Sequence, residues 1–309
     1  MNLIFKTLVL STAIAIISGC SSDLTVEPKA PVSFNILKTI PSPEVAALTT
    51  SISATGVCNF VLDESALTSA GWTKVFEDEF TTDLSKWNIW YGGAYNNELQ
   101  LYQANNLQLL NGELLINAKK ETVVGPTRPD NQTPSSFNYT SGRIESKTLF
   151  SASRTVPKVR IMARIKLPAG YGMWPAFWSY GDPWPTQGEI DILEARGQEP
   201  FSYSTNYFYG RVAGKNLVTG AEASITSDVD LTTCYHVYEL IWSKNDLTFL
   251  FDGKVVNIKS GGYIPNLFGK NEKITFNLAV GGLFFSNLNP SLIQTGTMSV
   301  DWVKVFTAK

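Results

Sequence analysis

Histidine is almost missing: His236 is the only one in 309 residues. A two-histidine zinc site of the His-Glu-x-x-His type therefore cannot be built, and a Ser-His-Asp triad would have a single imidazole to draw on. There is no Gly-x-x-x-x-Gly-Lys-Ser/Thr phosphate loop. Long Lys/Arg runs are absent as well and the net charge is -2, so the basic footprint that nucleic-acid binding demands is not present. No apolar run reaches the roughly 20 residues that a membrane-spanning helix needs. Cysteine occurs three times, at positions 20, 58 and 234. Any catalysis must rest mainly on carboxylates.

The N-terminal residues 1–20 place Lys6 before an apolar run, Leu8–Ile17, that ends in Ile17-Ser18-Gly19-Cys20. This resembles the bacterial lipobox, in which the Cys is diacylated and becomes the new N-terminus; an ordinary cleaved secretory signal is the alternative. Ser21 rather than Asp follows, which by analogy favours the outer membrane. The expectation is an exported bacterial protein, lipid-anchored through Cys20 on the outer membrane or cell surface. Residues 21–57 are Ser, Thr, Pro and Ala without sustained periodicity and read as a tether, or in part as an edge strand. Residues 58–309 form the folded domain. In an oxidising compartment the two remaining thiols, Cys58 and Cys234, are expected to pair; two buried inert thiols are the alternative.

From Gly71 onward, short apolar or alternating runs are punctuated by turn signals. Val159–Leu167 alternates Val, Ile, Ala, Ile and Leu with Arg, Met, Arg and Lys, the pattern of a strand with one buried face. Phe251-Asp252-Gly253-Lys254 is an Asp-Gly hairpin signal. No long stretch carries a strong helical period. Many strands without alternating helices indicate an all-β fold, a two-sheet jelly-roll β-sandwich.

The segment Gly188-Glu189-Ile190-Asp191-Ile192-Leu193-Glu194 alternates acidic and apolar residues. On a strand Glu189 and Asp191 share a face, and strict alternation would turn Glu194 into the core. A β-bulge at Ile192-Leu193 returns Glu194 to the acidic face. A helix would hold Glu189 and Glu194 about 140° apart, so they would not converge. Converging carboxyls suit retaining glycoside hydrolysis, which needs two of them roughly 5–5.5 Å apart, one ionised and one protonated. Crowding by a third carboxyl, Asp191, tunes that split. A solvated acidic face or a calcium site is the alternative. Just upstream stand Trp174, Trp178 and Trp184; they are core packing or a surface for the flat apolar faces of sugar rings.

At these residues the chain resembles glycoside hydrolase family sixteen, in its laminarinase-like, endo-β-1,3-glucanase branch. The resemblance spans about residues 71–306. It is carried by the acidic run together with Phe76–Phe80, Asn96–Gln100, Tyr139–Arg143, Trp174–Trp178, Phe276–Gly282 and Asp301–Val305. It implies a concanavalin-like sandwich with a concave substrate cleft. It implies Glu189 as nucleophile, Glu194 as acid/base and Asp191 as helper, with Asn96, Arg143, Trp174 and Trp178 near sugar; Trp184 is expected at the substrate from its place in the Trp-rich stretch beside the acids. It also implies a convex-side calcium ion at Glu79, Gly112 and Asp301, the first two mainly through backbone oxygen; no cofactor is required for the chemistry. Two departures stand out. Asn206 takes the place of a usual His beside the acid/base, and is expected on the neighbouring strand near Glu194. Leu283-Phe284-Phe285 follows Gly282 where a Trp is common. His236 falls in a segment resembling a structural strand.

The expected function is a monomeric retaining endo-β-glucanase acting on β-1,3- or mixed β-1,3/1,4-glucan. Alternatives are a β-glucan transglycosylase, which Asn206 would favour by orienting an acceptor hydroxyl, a galactan hydrolase, or a non-catalytic glycan-binding protein of the same fold.

Overall fold

The structure, a computed structural model, describes residues 51–309. Two sheets face each other across one apolar core, as the jelly-roll reading expects. The eight strands of the first sheet are, in chain order, β1 (Ser51–Ala54), β2 (Trp87–Ile89), β3 (Arg143–Phe150), β4 (Met173–Tyr180), β5 (Glu189–Glu194), β6 (Ser202–Phe208), β7 (Ala223–Ser227) and β8 (Glu272–Val280). Their order across the sheet is β1-β7-β6-β5-β4-β8-β3-β2, so the acidic strand β5 sits in the middle. The second sheet has ten strands, with Lys158–Lys166 and Gly296–Ala308 near its centre.

Period-two patterning explains the packing. Val159, Ile161, Ala163 and Ile165 of the second sheet, and Met173, Phe177, Ile190 and Ile192 of the first, belong to one buried cluster. The opposite face of the second sheet is covered separately: Met162, Val237, Trp302 and Phe306 pack under Leu67, Phe60 and Trp72 from the N-terminal part of the domain. The Asp-Gly hairpin forms as the sequence indicates, with Asp252 at φ 47° and Gly253 at φ 75°, the left-handed pair that a tight two-residue turn requires.

His236 is fully buried on the strand His236–Trp242. Its Nδ1 lies 2.7 Å from Asp252 Oδ2, and Asp252 also accepts from the backbone N–H of Val57 and Val237, both at 2.8 Å. The imidazole is thus a structural joint, remote in role from the acids. Cys58 and Cys234 are joined as a disulfide across a sequence separation of 176.

The boundary drawn after residue 57 needs correction. Ser51–Ala54 is already part of the sandwich: it pairs in parallel with Ala223–Ser227 and forms an edge of the first sheet. A four-residue edge strand of Ser, Ile, Ser and Ala leaves too little pattern to separate it from a tether. Cys20 lies outside the described residues.

Candidate active site

Strand β5 carries the three acids, and its neighbours fix their direction. Gly188, at φ 94°, turns the chain into the strand. A side chain there would bring a Cβ within 2.6 Å of Glu272 Oε1. Against β4, Leu193 pairs with Phe177 and Asp191 with Trp178, so Ile192 is the extra residue. Against β6, Asp191 pairs with Asn206 and Glu194 with Ser204, across the same irregularity. Ile192 and Leu193 are both buried in the core cluster. A bulge at the expected place therefore returns Glu194 to the face of Glu189 and Asp191.

Two indole N–H groups hold the outer acids. Trp184 Nε1 donates to Glu189 Oε2 at 2.5 Å, and Trp174 Nε1 donates to Glu194 Oε1 at 3.1 Å. Trp178 shares a face of β4 with Trp174 and donates to Asn277 Oδ1 at 2.7 Å. Of the three expected sugar-facing tryptophans, Trp184 is the most exposed, at 36%. Trp174 is 9% exposed and stacked under Phe284, with ring centroids 4.7 Å apart. Arg196 covers the other face of Phe284 at 3.9 Å and donates to its carbonyl at 2.8 Å. Phe284, of the segment without the usual Trp, thus braces the residue that orients Glu194. The sequence showed the substitution but not what Phe284 would touch.

Arg143 is buried and paired: it donates to Glu145 Oε1 at 2.7 Å and to the Tyr180 hydroxyl at 3.1 Å, and its guanidinium lies 4.0 Å from the Trp90 ring. Asn96, at φ 58°, is exposed in a loop whose carbonyl accepts from Leu283 N at 2.8 Å. That carbonyl approaches Gly282, which also abuts Trp174. Glu98, inside the Asn96–Gln100 segment but not singled out there, and Tyr102, just beyond it, complete this side. Glu98 Oε2 accepts from Gln100 and Tyr102, and Tyr102 accepts from Asn277.

Asn206 lies on the neighbouring strand, as expected, but its register partner is Asp191 rather than Glu194, and its Oδ1 accepts from the backbone of Tyr207. Ser204 is the residue across from Glu194. The loop joining β5 to β6 sets this register, and residue patterning within either strand does not reveal it.

Burial pushes all three carboxyls up, Glu189 to about 8, Glu194 to about 7 and Asp191 well above its ordinary range, and each feels a like charge nearby. In such a group protons belong to the cluster rather than to one residue, so hydrogen-bond partners decide where the charge rests. Glu189 accepts from Trp184 and Asp191 and lies in the field of Arg143. Glu194 has Trp174 and Arg196 on its side but faces Glu222 and Glu98. Taken singly, the higher value on Glu189 would leave the last proton there; because the cluster shares its protons, a protonated Asp191 donating to Glu189 reverses that order and leaves Glu189 ionised with the remaining proton on Glu194.

At the calcium position proposed by the resemblance, the Glu79 carbonyl oxygen lies 3.9 Å from where a Gly112 Cβ would stand. The Glu79 carboxyl pairs with Lys304 at 2.8 Å, and Asp301 Oδ2 with Arg164 at 2.5 Å. The position still offers hard oxygen donors, the Glu79 and Gly112 carbonyls and the Asp301 carboxylate, but with both carboxylates already paired to cations the set fits only a weakly held ion. Among the described residues no group of three or more His, Cys, Asp or Glu could hold a metal.

Comparison with known proteins places this geometry. Residues 89–304 match the model of glycosyl hydrolases family 16. The chain is 32% identical over 268 residues to glucan endo-1,3-beta-glucosidase A1 of Niallia circulans, an alignment covering 77% of this chain and 38% of that protein. It is 33% identical over 270 residues to glucan endo-1,3-beta-glucosidase of Cryptopygus antarcticus, covering 78% and 94%. Among solved structures, the endo-beta-1,3-glucanase of Pyrococcus furiosus superposes with a TM-score of 0.65 at 31% identity, covering 77% of this chain and 95% of that one.

Proposed function

The chain belongs to glycosyl hydrolases family 16, and from that premise we propose that it is a retaining endo-glucanase cleaving β-1,3-linked glucan chains. The observation that carries this reading is the bulged strand, which sets Glu189, Asp191 and Glu194 on one face with each outer acid held by its own indole. A protein that only bound glycan would have no use for three carboxyls crowded at that cost in desolvation. The similarity to endo-1,3-glucosidases supports the linkage.

In this mechanism Glu194 gives its proton to the glycosidic oxygen as that bond to the anomeric carbon breaks. Glu189 attacks the same carbon and forms a glycosyl ester. Glu194, now a carboxylate, takes a proton from water, whose oxygen displaces Glu189 and restores both groups. Asp191 hydrogen-bonds Glu189 throughout and steadies its charge before attack. Incubation with β-1,3-, mixed-linkage and galactan polysaccharides, with products sized by mass, tests the assignment. Internal cleavage of β-1,3-glucan is expected; cleavage of galactan alone would overturn the substrate.

The raised carboxyls set the pH dependence. Glu194 must be protonated and Glu189 ionised, so kcat/KM falls at low pH as Glu189 gains a proton and at high pH as Glu194 loses its own. The alkaline limb is expected between about 7 and 8. An alkaline limb near the ordinary carboxyl value, about 4.3, would contradict the buried, crowded site.

Two further features are proposed with this function. Lipidation at Cys20 anchors the enzyme, supported by the apolar run ending in Ile17-Ser18-Gly19-Cys20. Cys20→Ala is expected to move the protein out of the membrane fraction; retention there would refute the anchor. A calcium ion near Glu79, Gly112 and Asp301 stabilises the fold without entering the chemistry. Millimolar calcium is expected to raise Tm by a few degrees through mass action, and an unchanged Tm would remove the ion from the proposal.

A further inference from the structure

Beyond Glu194 the first sheet carries a row of small hydroxyl side chains that the reaction scheme leaves unused. Read straight across the strands, Glu194 on β5 pairs with Ser204 on β6, Ser204 with Ser224 on β7, and Ser224 with Ser51 on β1. Neighbouring strands lie about 4.8 Å apart, so the row extends from the acid to the edge of the sheet. No large side chain stands in it. Instead, these residues line a pocket of about 330 Å³, with Arg196 and Glu222 among its walls. That is within the range of sites that hold a small ligand.

One atom in the row lacks a partner beside the pocket. Ser204 is 5% exposed, and its hydroxyl has no hydrogen-bond partner. A buried hydroxyl without a partner costs free energy. That oxygen is closed to solvent as it stands, and a turn of the Ser204 side chain toward the pocket would let a ligand hydroxyl supply the missing partner. Ser51, at the far end, is already held by the Thr226 hydroxyl at 2.9 Å. The lining is mostly polar, and its one aromatic residue, Tyr203, is buried in the core cluster, whereas the other side of the acids carries Trp178, Arg143 and Trp90. The two sides therefore suit different contacts: ring stacking on one, hydroxyl recognition on the other.

We propose that the row Ser204-Ser224-Ser51, completed by the N-terminal edge strand β1, is a binding site for the hydroxyls of the sugar units on the leaving-group side of the cleaved bond. This rests on the reading of Glu194 as the acid that protonates the departing oxygen, because the pocket borders Glu194 and lies on the side away from Arg143. The segment that the sequence presents as the end of a tether thereby becomes part of the enzyme's specificity. Ser51 supplies the outermost contact of the row, three strands from the acid.

The test fills the trough. Ser224→Tyr places a ring in its middle and Ser51→Tyr one at its end; both are compared with wild type after equal melting temperatures establish folding. Should Ser224→Tyr fail to fold, Ser204→Ala and Ser51→Tyr carry the test. The substrates are oligomers, labelled at the reducing end, of whichever polysaccharide in the panel wild type degrades. Wild type is expected to favour bonds that leave two or more sugars on the labelled side. In Ser224→Tyr, kcat/KM on the longer oligomers is expected to fall about tenfold, equivalent to about 1.4 kcal/mol, with cleavage shifted toward the labelled end. Ser51→Tyr should alter only oligomers long enough to reach the edge. Folded variants with the wild-type cleavage pattern and kcat/KM would overturn the proposal even if wild type degrades β-1,3-glucan. Conversely, wild-type cleavage of a different glycan, with the pattern still shifted in the variants, would sink the glucanase reading and leave this site standing.

Discussion

Glu189→Gln is expected to lower kcat on β-glucan by on the order of 10⁴-fold or more, the scale seen when a nucleophile is removed from a group that acts as a unit. Gln keeps the size of the side chain and can still meet the Trp184 indole through its carbonyl oxygen, but it cannot form the glycosyl ester. Glu194→Gln should behave differently. On polysaccharide it is expected to cost about 10²–10⁴-fold, the range for general acid–base catalysis. On an aryl glycoside whose phenolate departs without a proton, the first step should largely survive. Steady-state and burst kinetics on both substrates read the contrast. The reverse pattern, with Glu189→Gln sparing the aryl substrate, would exchange the two roles.

The same substitution should change stability in the opposite sense. Burial and the neighbouring acids raise the cluster to which Glu189 belongs, Glu189 to about 8 and Glu194 to about 7, so the folded state binds the shared protons more tightly than the unfolded chain does. The resulting stabilisation is fully present below the unfolded value, about 4.3, and is lost as pH rises through about 8. Glutamine stays neutral throughout. Glu189→Gln is therefore expected to melt higher than wild type at pH 8, with the difference shrinking toward pH 4. An active site that crowds three acids gives up stability for chemistry, and a lower Tm for the variant at pH 8 would argue against that crowding.

Removing the disulfide should produce the largest loss of stability. The bond closes a sequence separation of 176 residues, and loss of a native disulfide typically costs about 2–5 kcal/mol. For a domain of this size each kcal/mol corresponds to roughly 2–4 °C, so Cys58→Ser is expected to lower Tm by roughly 5–15 °C. Local contacts add to the effect. Cys234 Sγ lies 3.4 Å from His236 Nε2, and Asp252 on the other side of that imidazole accepts from Val57 N. Thermal melts of wild type with and without reductant, beside Cys58→Ser, measure it. Identical curves would mean that the two sulfurs are not bridged in the purified protein.

The sequence revealed the acidic strand unusually well, because a bulge leaves a trace: two consecutive apolar residues, Ile192 and Leu193, interrupt an alternation that otherwise runs through the acids. The sandwich was legible for the same reason, since Val159–Leu167 and its neighbours state which face is buried. What could not be read was register between strands. Asn206 and Ser204 are both polar and both on the acid-facing side of β6, and nothing within β6 says which of them meets Glu194. The role of β1 was hidden because its partner lies more than 170 residues further along the chain. Phe284 was visible as a departure, but its stacking on Trp174 depends on how a loop folds back, and loop direction has no period to follow.

The way the chain enters the sandwich determines how it bears mechanical load. A pull arriving from the N-terminal side of Ser51 meets β1 first, and β1 lies parallel to β7 with four residues in register. Bonds in that arrangement are loaded together in shear rather than opened one after another. Past them the chain is held at Gly56 by Asp228, at Val57 by Asp252, and then at Cys58 by a covalent bond to Cys234. Tension can therefore strip the edge strand, and Ser51 with it, but goes no further than residue 58. Traction on such a molecule would erase the outer end of the serine row while Glu189, Asp191 and Glu194, behind the sulfur bridge, keep their places.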